Sequence, residues 1–283
     1  ISFSCGYYYC NYRVGTILCN NETRKGGVPM EQLRIKKMEI KRVSKTFYNK
    51  NSYFTAINNI SFDVYDGEFL VILGPGRCGK TVLLNIIAGL EEKTEGTILY
   101  NGREINGVNP EVGMVFQKLA LLPFKTVIEN VELGLKFRNI PKSKRREIAE
   151  YYIDLVGLKG FENSYPKELS GGMKQRVGIA RAYANNPKVL IMDEPFGQLD
   201  AQTRYLMQNE ILRIWEQEKR TIIFVTNNIE EACYLGDRII LLSKCPAKVK
   251  EIYHVNIPRP RNMVSKEFLD LRAKISDNTD LAI

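Results

Sequence analysis

The stretch GPGRCGKT, Gly74 to Thr81, sets glycines at 74, 76 and 79 ahead of Lys80 and Thr81. That is the phosphate-loop spacing. Glycine lets the backbone wrap so that N–H groups converge on phosphate oxygens, and a helix N-terminus behind the loop adds partial positive charge. Lys80 is expected to reach the β- and γ-phosphates, and the Thr81 hydroxyl to ligate Mg²⁺. Pro75, Gly76, Arg77, Cys78 and Val82 complete the nucleotide-binding stretch. Lys80 and a helix N-terminus both favour the Cys78 thiolate. Alkylation of Cys78 is therefore expected to block ATP binding, the alternative being a buried, inert thiol.

A second stretch, KVLIMDEP, runs apolar to Asp193 and Glu194. Two acids at the end of a buried strand are costly unless used or paired. Asp193 is expected to hold Mg²⁺ and Glu194 to polarise the attacking water. A third stretch, LSGGMKQR, places Ser170 as a helix N-cap before Gly171 and Gly172, leaving backbone N–H groups bare for a second anion.

The elements between these motifs have legible periods. MEIKRVSKTFY (38–48) alternates as a strand, and ISFDV and EFLVIL flank the turn signal Asp66-Gly67. TVLLNIIAGL reads as a buried helix. GTILYNG and VGMVF read as short strands, and TVIENVELGLKF as a helix opened by a capping box from Thr126 to Glu129. KRREIAEYYIDLVGL has helical spacing at Ile148, Tyr152, Leu155 and Val156. KVLIMD, TIIFVT and DRIILLS are continuous apolar runs, the mark of strands buried on both faces. Antiparallel strands thus come first, a helical lobe follows, and parallel strands close the core.

Composition narrows the classes. The net charge of +9 lies at the ends: residues 1–42 and 244–274 each carry eight Lys/Arg against three acids, while 43–243 is nearly neutral. A nucleic-acid groove needs its cations on the working surface, so no nucleic-acid partner is expected and the basic ends read as solvated tails. Six cysteines stand at 5, 10, 19, 78, 233 and 245 without a CxxC pair, and His254 is the single histidine. A histidine zinc site and a Ser-His-Asp triad are excluded, and His254 reads as part of a strand. Residues 1–37 read as a leader outside the folded domain, either translated upstream sequence with a start at Met30 or Met38, or a disordered arm.

With these motifs in one chain, the stretch from about Met38 to Val249 resembles the ATP-binding cassette (ABC) ATPases. The resemblance implies an α/β fold: a P-loop NTPase core with a mainly parallel sheet, an antiparallel β subdomain, and an inserted α-helical subdomain at about 118–170. It places the cassette at 38–250 and a C-terminal extension at 251–283. It makes Phe47, or its neighbour Tyr48, the aromatic that stacks on adenine. Gln117 becomes the residue sensing Mg²⁺ and the γ-phosphate, LSGGMKQ the signature, and FGQLD, with Gln198, the loop meeting a partner cassette. ATP and Mg²⁺ are the implied cofactors. A homodimer or paired cassette would sandwich each ATP between one phosphate loop and the other chain's Ser170–Gly172. Integral membrane permease subunits would contact the apolar segment after Gln117, and a solute-binding protein would act indirectly. The tail, NIPRPRNMVSKEFLDLRAKI, is similar to that of nitrate, sulfonate and taurine importer ATPases. The implied function is an ATP-hydrolysing importer subunit for a small anion, peripheral on the cytoplasmic face of a bacterial membrane. A non-transport or weakly hydrolysing regulatory ATPase is the competing reading.

One position departs from that pattern. In VTNNIEEA, Asn227 stands where most of the family has a histidine that touches the γ-phosphate, and Asn228 where an acid is common. An amide donates a hydrogen bond but carries no charge and shuttles no proton. The expectation is a slow enzyme that relies on Glu194, with Asn227 as an uncharged γ-phosphate contact.

Overall fold

The computed structural model describes residues 34–50, 52–197 and 199–279; residues 1–33 of the expected leader, and Gln198, lie outside them. The folded unit begins at Ile35.

Two sheets form the frame. β1 (Lys36–Asn49), β2 (Ser52–Tyr65), β3 (Phe69–Leu73), α1 (Lys80–Ile87), β4 (Glu95–Tyr100), β5 (Arg103–Glu104) and β6 (Val112–Val115) come first. α2 (Val127–Val131), α3 (Leu133–Phe137), α4 (Lys142–Leu155) and α5 (Gly171–Ala184) follow. β7 (Val189–Asp193), α6 (Ala201–Glu218), β8 (Thr221–Thr226), α7 (Ile229–Leu235), β9 (Arg238–Leu242), β10 (Val249–His254) and α8 (Lys266–Asn278) complete the unit. The smaller sheet has the order β2-β1-β4-β5 and is antiparallel throughout. The larger has the order β10-β9-β3-β8-β7-β6, with β9, β3, β8, β7 and β6 parallel and β10 antiparallel at the edge.

The apolar strands are apolar because they serve two cores at once. Successive side chains of a strand point to opposite faces. Leu70, Ile72, Val189, Ile191, Ile223, Val225, Ile240 and Leu242 pack toward the antiparallel sheet and α1. Their neighbours Phe69, Val71, Leu73, Leu190, Met192, Ile222, Phe224, Ile239 and Leu241 pack toward the helices. The result is three layers with the parallel sheet in the middle, every strand of whose centre is dry. At roughly 1.5–3 kcal/mol for each fully buried large apolar side chain, this sheet dominates the stabilisation.

Local signals place the helices. Thr126 and Glu129 form the expected capping box on α2. Ser170, Asp200, Asn228 and Ser265 accept N–H bonds at the starts of α5, α6, α7 and α8. α4 and α2 pack on α5, which carries the helical layer beyond residue 170.

One expectation is refined and one is corrected. Asp66-Gly67 does turn the chain, but β2 and β3 do not pair: β2 lies beside β1, and β3 lies between β9 and β8. The turn is a corner between sheets, held by the Gly67 N–H donating to Thr221 Oγ1 at 3.0 Å. The basic C-terminal stretch is not a solvated tail. Phe268 and Ile275 of α8 are fully buried in the helical core. The Arg261 guanidinium, 5% exposed, donates to the Cys233 and Tyr234 carbonyls at 3.0 and 2.9 Å. Those carbonyls end α7, where the helix dipole is negative, so Arg261 is a C-terminal cap rather than a free surface charge. The 250/251 boundary falls inside β10.

Candidate active site

β3 delivers the loop 74–79 to the carboxyl edge of the parallel sheet, and α1 starts directly behind it. Two glycines are demanded by geometry. Gly79 sits at φ +113°, and a Cβ there would lie 2.8 Å from the Ala56 carbonyl oxygen. A Cβ at Gly74 would meet Cys78 Sγ at 3.1 Å and Leu242 Cβ at 3.2 Å. The loop is therefore pinched between β2 and β9.

Lys80 is 5% exposed and donates from Nζ to the Gly74 and Pro75 carbonyls at 2.9 and 2.8 Å. The same ammonium lies 3.3 Å from Glu194 Oε1. Glu194 Oε2 accepts from Gln117 Nε2 at 3.4 Å. Glu194 has φ +41°, and its own N–H donates to the Val225 carbonyl at 3.0 Å. The strained backbone at the end of β7 goes with a carboxylate held between Lys80 and Gln117. Asp193, 4% exposed, is the last residue of β7, just before Glu194. Burial raises the Asp193 pKa; a hydrogen bond with Thr81 opposes the rise, Glu194 reinforces it, and Lys80 opposes it. A desolvated carboxylate beside a hydroxyl offers hard oxygen donors, which suits a divalent cation such as Mg²⁺.

A cavity of about 210 Å³ opens here, lined by Arg77, Gly79, Lys80, Thr81, Val82 and Glu194. It is also lined by Phe54 and Cys245, which sequence reasoning missed. Phe54 had a signal: it is directly opposite Phe47 in the β1–β2 register, and Tyr48 is opposite Tyr53. Successive residues face opposite ways, so Phe47 shares the cavity side with Phe54 while Tyr48 is turned from it. Phe47 is 39% exposed, with Lys45 Nζ 4.8 Å from its ring centre.

Cys78 corrects an expectation. Its side chain is 1% exposed within the apolar core, and burial pushes the thiol upward despite Lys80 nearby. Desolvation of the anion outweighs the neighbouring cation. Iodoacetamide is thus expected to leave Cys78 unlabelled in the folded protein and to label the exposed Cys245, with Cys78 reacting on denaturation. Peptide mapping checks this; fast native labelling of Cys78 would restore the thiolate reading.

The structure brings Lys80, Thr81, Gln117, Asp193 and Glu194 together. It leaves Ser170, Gly171 and Gly172 outside the cavity. Ser170 Oγ accepts from the Met173 N–H at 3.3 Å, and the turn packs against the start of α6, where a Cβ on Gly172 would lie 3.0 Å from Thr203. Asn227 follows β8 and is exposed. The register pairs Asp193 with Val225, so Asn227 stands at the same sheet edge as Glu194. Asn228 has a separate duty, capping α7 through a bond from the Glu231 N–H.

Residues 57–197 match a family model described as ABC transporter. An uncharacterized ABC transporter ATP-binding protein of Methanocaldococcus jannaschii is 49% identical over 239 residues, which is 84% of this chain and 90% of that protein. An aliphatic sulfonates import ATP-binding protein of Bacillus anthracis is 44% identical over 240 residues, 84% of this chain and 94% of that protein. Among solved structures, a dimeric bacterial ABC transporter cassette matches with TM-score 0.69 and 33% identity, covering 77% of this chain and 99% of the other. A dimeric post-hydrolysis state of that cassette, bound to ADP and Pi, matches at 32% identity and TM-score 0.69, with the same coverage.

Proposed function

Because the chain belongs to the ABC transporter ATP-binding proteins and is an ABC-type ATPase, we propose that it powers an importer whose cargo is a sulfonate. The observation that carries hydrolysis is the convergence of Lys80, Gln117 and Glu194 above the Asp193–Thr81 pair. The observation that favours a sulfonate over nitrate is the 44% identity to aliphatic sulfonate import proteins across 94% of their length.

In this reading Lys80 turns from the Gly74 and Pro75 carbonyls to the phosphates of ATP. Phe47 and Phe54 flank the base. Glu194 takes the proton of the attacking water, and Gln117 orients that water. Thr81 and Asp193, with Gln117, would hold Mg²⁺, which neutralises charge on the β- and γ-phosphates. Ser170–Gly172 of a second cassette closes the site, in line with the dimeric state of the similar solved cassette. The membrane subunits dock beyond Gln117, where Phe124 is 70% exposed. Among the described residues no helix is long and apolar enough to cross a membrane, which supports a peripheral subunit carried by such a permease.

The test is reconstitution with the permease subunits encoded beside it in proteoliposomes, loaded with ATP on the cassette side. ATP-dependent uptake of a labelled alkanesulfonate is expected. Uptake of nitrate alone would overturn the cargo, and hydrolysis indifferent to the permease would overturn transport.

Asn227 favours slow turnover within this reading. Asn227→His is expected to raise steady-state phosphate release by up to about tenfold, or to leave it unchanged, since the added charge faces developing negative charge worth roughly 1.4 kcal/mol per decade. A clear fall would show that the amide has its own indispensable role.

A further inference from the structure

The ring of Phe47 is not held by its own strand alone. Phe47 pairs with Phe54, the third pair in from the turn that joins β1 to β2. Strand ends beside such a turn open locally at little cost. Two contacts from another segment oppose that opening here. Thr94 Oγ1 accepts from the Thr46 N–H at 3.0 Å and donates to the Thr46 carbonyl at 3.3 Å. Lys45 Nζ lies 4.8 Å from the centre of the Phe47 ring. The same ammonium pairs with Glu91 Oε1 at 2.6 Å and donates to the Glu92 carbonyl at 2.7 Å.

Glu91 and Glu92 belong to the turn that follows α1, and that turn is bonded back onto the helix. The Leu90 and Glu91 N–H groups both donate to the Asn85 carbonyl, at 2.8 and 3.2 Å. α1 begins at Lys80, behind the phosphate loop. A line of direct contacts thus runs from the Phe47 ring through Lys45, Glu91 and Asn85 to the helix that carries Lys80. As an ion pair with a partly exposed carboxylate, the Lys45–Glu91 contact adds little to stability. Its geometry joins the aromatic side of the cavity to the phosphate side.

Ordering a rotamer-rich side chain costs free energy, and a cost met on folding does not weaken binding later. Two oxygens fix the Lys45 ammonium, and the fixed cation holds the ring through its π-electrons. Lys45 takes one face of Phe47; the ring is 39% exposed, which leaves the other for a base. Adenine and the triphosphate are one molecule, so a stacking ring is useful only at a set distance from the phosphate loop. The tie to α1 sets that distance.

We propose that Lys45 is a positioning residue for nucleotide binding, which stations Phe47 relative to the phosphate loop by tying its ring to the turn after α1. This rests on the reading of Phe47 as the residue that stacks on the base.

The test uses the full chain and measures binding of ATP and of inorganic tripolyphosphate, which has the phosphates and no base, together with kcat and KM for ATP. Lys45→Leu keeps the apolar stem and removes the ammonium. It is expected to weaken ATP binding roughly three- to fivefold, the size of an exposed cation–ring contact, with kcat within about twofold of wild type. Tripolyphosphate should bind Lys45→Leu as it binds wild type. Lys45→Arg restores a cation over the ring and should recover ATP affinity to within about twofold. Phe47→Ala is expected to cost about tenfold in ATP affinity. Adding Lys45→Leu to it should cost no more than about a further 1.5-fold, because the two act as one unit. Unchanged ATP affinity in Lys45→Leu, an equal loss for tripolyphosphate, no recovery in Lys45→Arg, or losses that multiply in the double variant would overturn the proposal. If Lys45→Leu does not fold, Glu91→Gln removes the carboxylate that holds the same ammonium, and wild-type ATP affinity there overturns it. A Phe47→Ala variant that binds ATP like wild type would instead overturn the base-stacking reading, and the positioning role with it.

Discussion

Lys80→Ala is expected to bring ATP hydrolysis down by about three orders of magnitude and to weaken nucleotide binding at least tenfold. The ammonium reaches both the loop carbonyls and Glu194. Removing a pre-placed charge from a water-poor site typically costs about 3–4 kcal/mol in the transition state. Here a second loss adds to it. Without Lys80 the Gly74 and Pro75 carbonyls lose the donor that holds the loop, and Glu194 keeps its negative charge beside the incoming phosphates with nothing to offset it. Fluorescent ATP-analogue binding and phosphate release, measured on the same preparation, separate the two losses. A variant that binds and hydrolyses within a few-fold of wild type would remove Lys80 from the phosphate contact.

Glu194→Gln should split those functions. The amide has nearly the shape of the carboxylate, so contact with Gln117 and the position at φ +41° can persist. The proton acceptor is gone, which for a general base costs about 10²- to 10⁴-fold. One negative charge is also removed from beside the phosphates, so ATP should bind at least as tightly. The expected result is a stable dimer in the presence of ATP and Mg²⁺, seen as a doubled mass by light scattering, with phosphate release below about 1% of wild type. A monomer under those conditions would count against a site shared between cassettes. Normal turnover would mean that another group takes the proton.

Lys80 and Glu194 were visible in the sequence because their chemistry lies in short contiguous patterns. A Gly-rich turn before a helix and acids after a dry strand each imply a local geometry. The same holds for Thr126 and Glu129, whose spacing alone specifies a cap. What could not be read depends on where distant segments meet. Asp66-Gly67 looks like a hairpin turn until β3 is seen between β8 and β9. Cys78 looks activated if only its neighbours in the chain are counted; the core that dries it is built with β1, β2 and β4 and with Leu242 from far along the sequence. Arg261 looks like a surface charge because nothing nearby shows that the end of α7 awaits a donor. Glu231 is the subtlest case. IEEA reads as an acidic first turn, as it is for the exposed Glu230, and only burial and the Gln208 bond set Glu231 apart.

The corner at Asp66-Gly67 also orders events in time. β3, the strand that carries the phosphate loop, has both of its ladder partners far downstream: Phe69 pairs with Ile222, and Leu70 with Arg238. A ribosome adding about 5–20 residues per second takes on the order of 10–30 s to cover those roughly 150 residues. Through that interval Phe-Leu-Val-Ile-Leu is complete but has neither neighbour. The antiparallel hairpin of β1 and β2 needs no such wait, since its strands are adjacent in the chain. The nascent cassette thus makes its β1–β2 hairpin early and its phosphate loop late. In between it offers a five-residue apolar strand with two open edges, the kind of segment that chaperones hold and that aggregates capture.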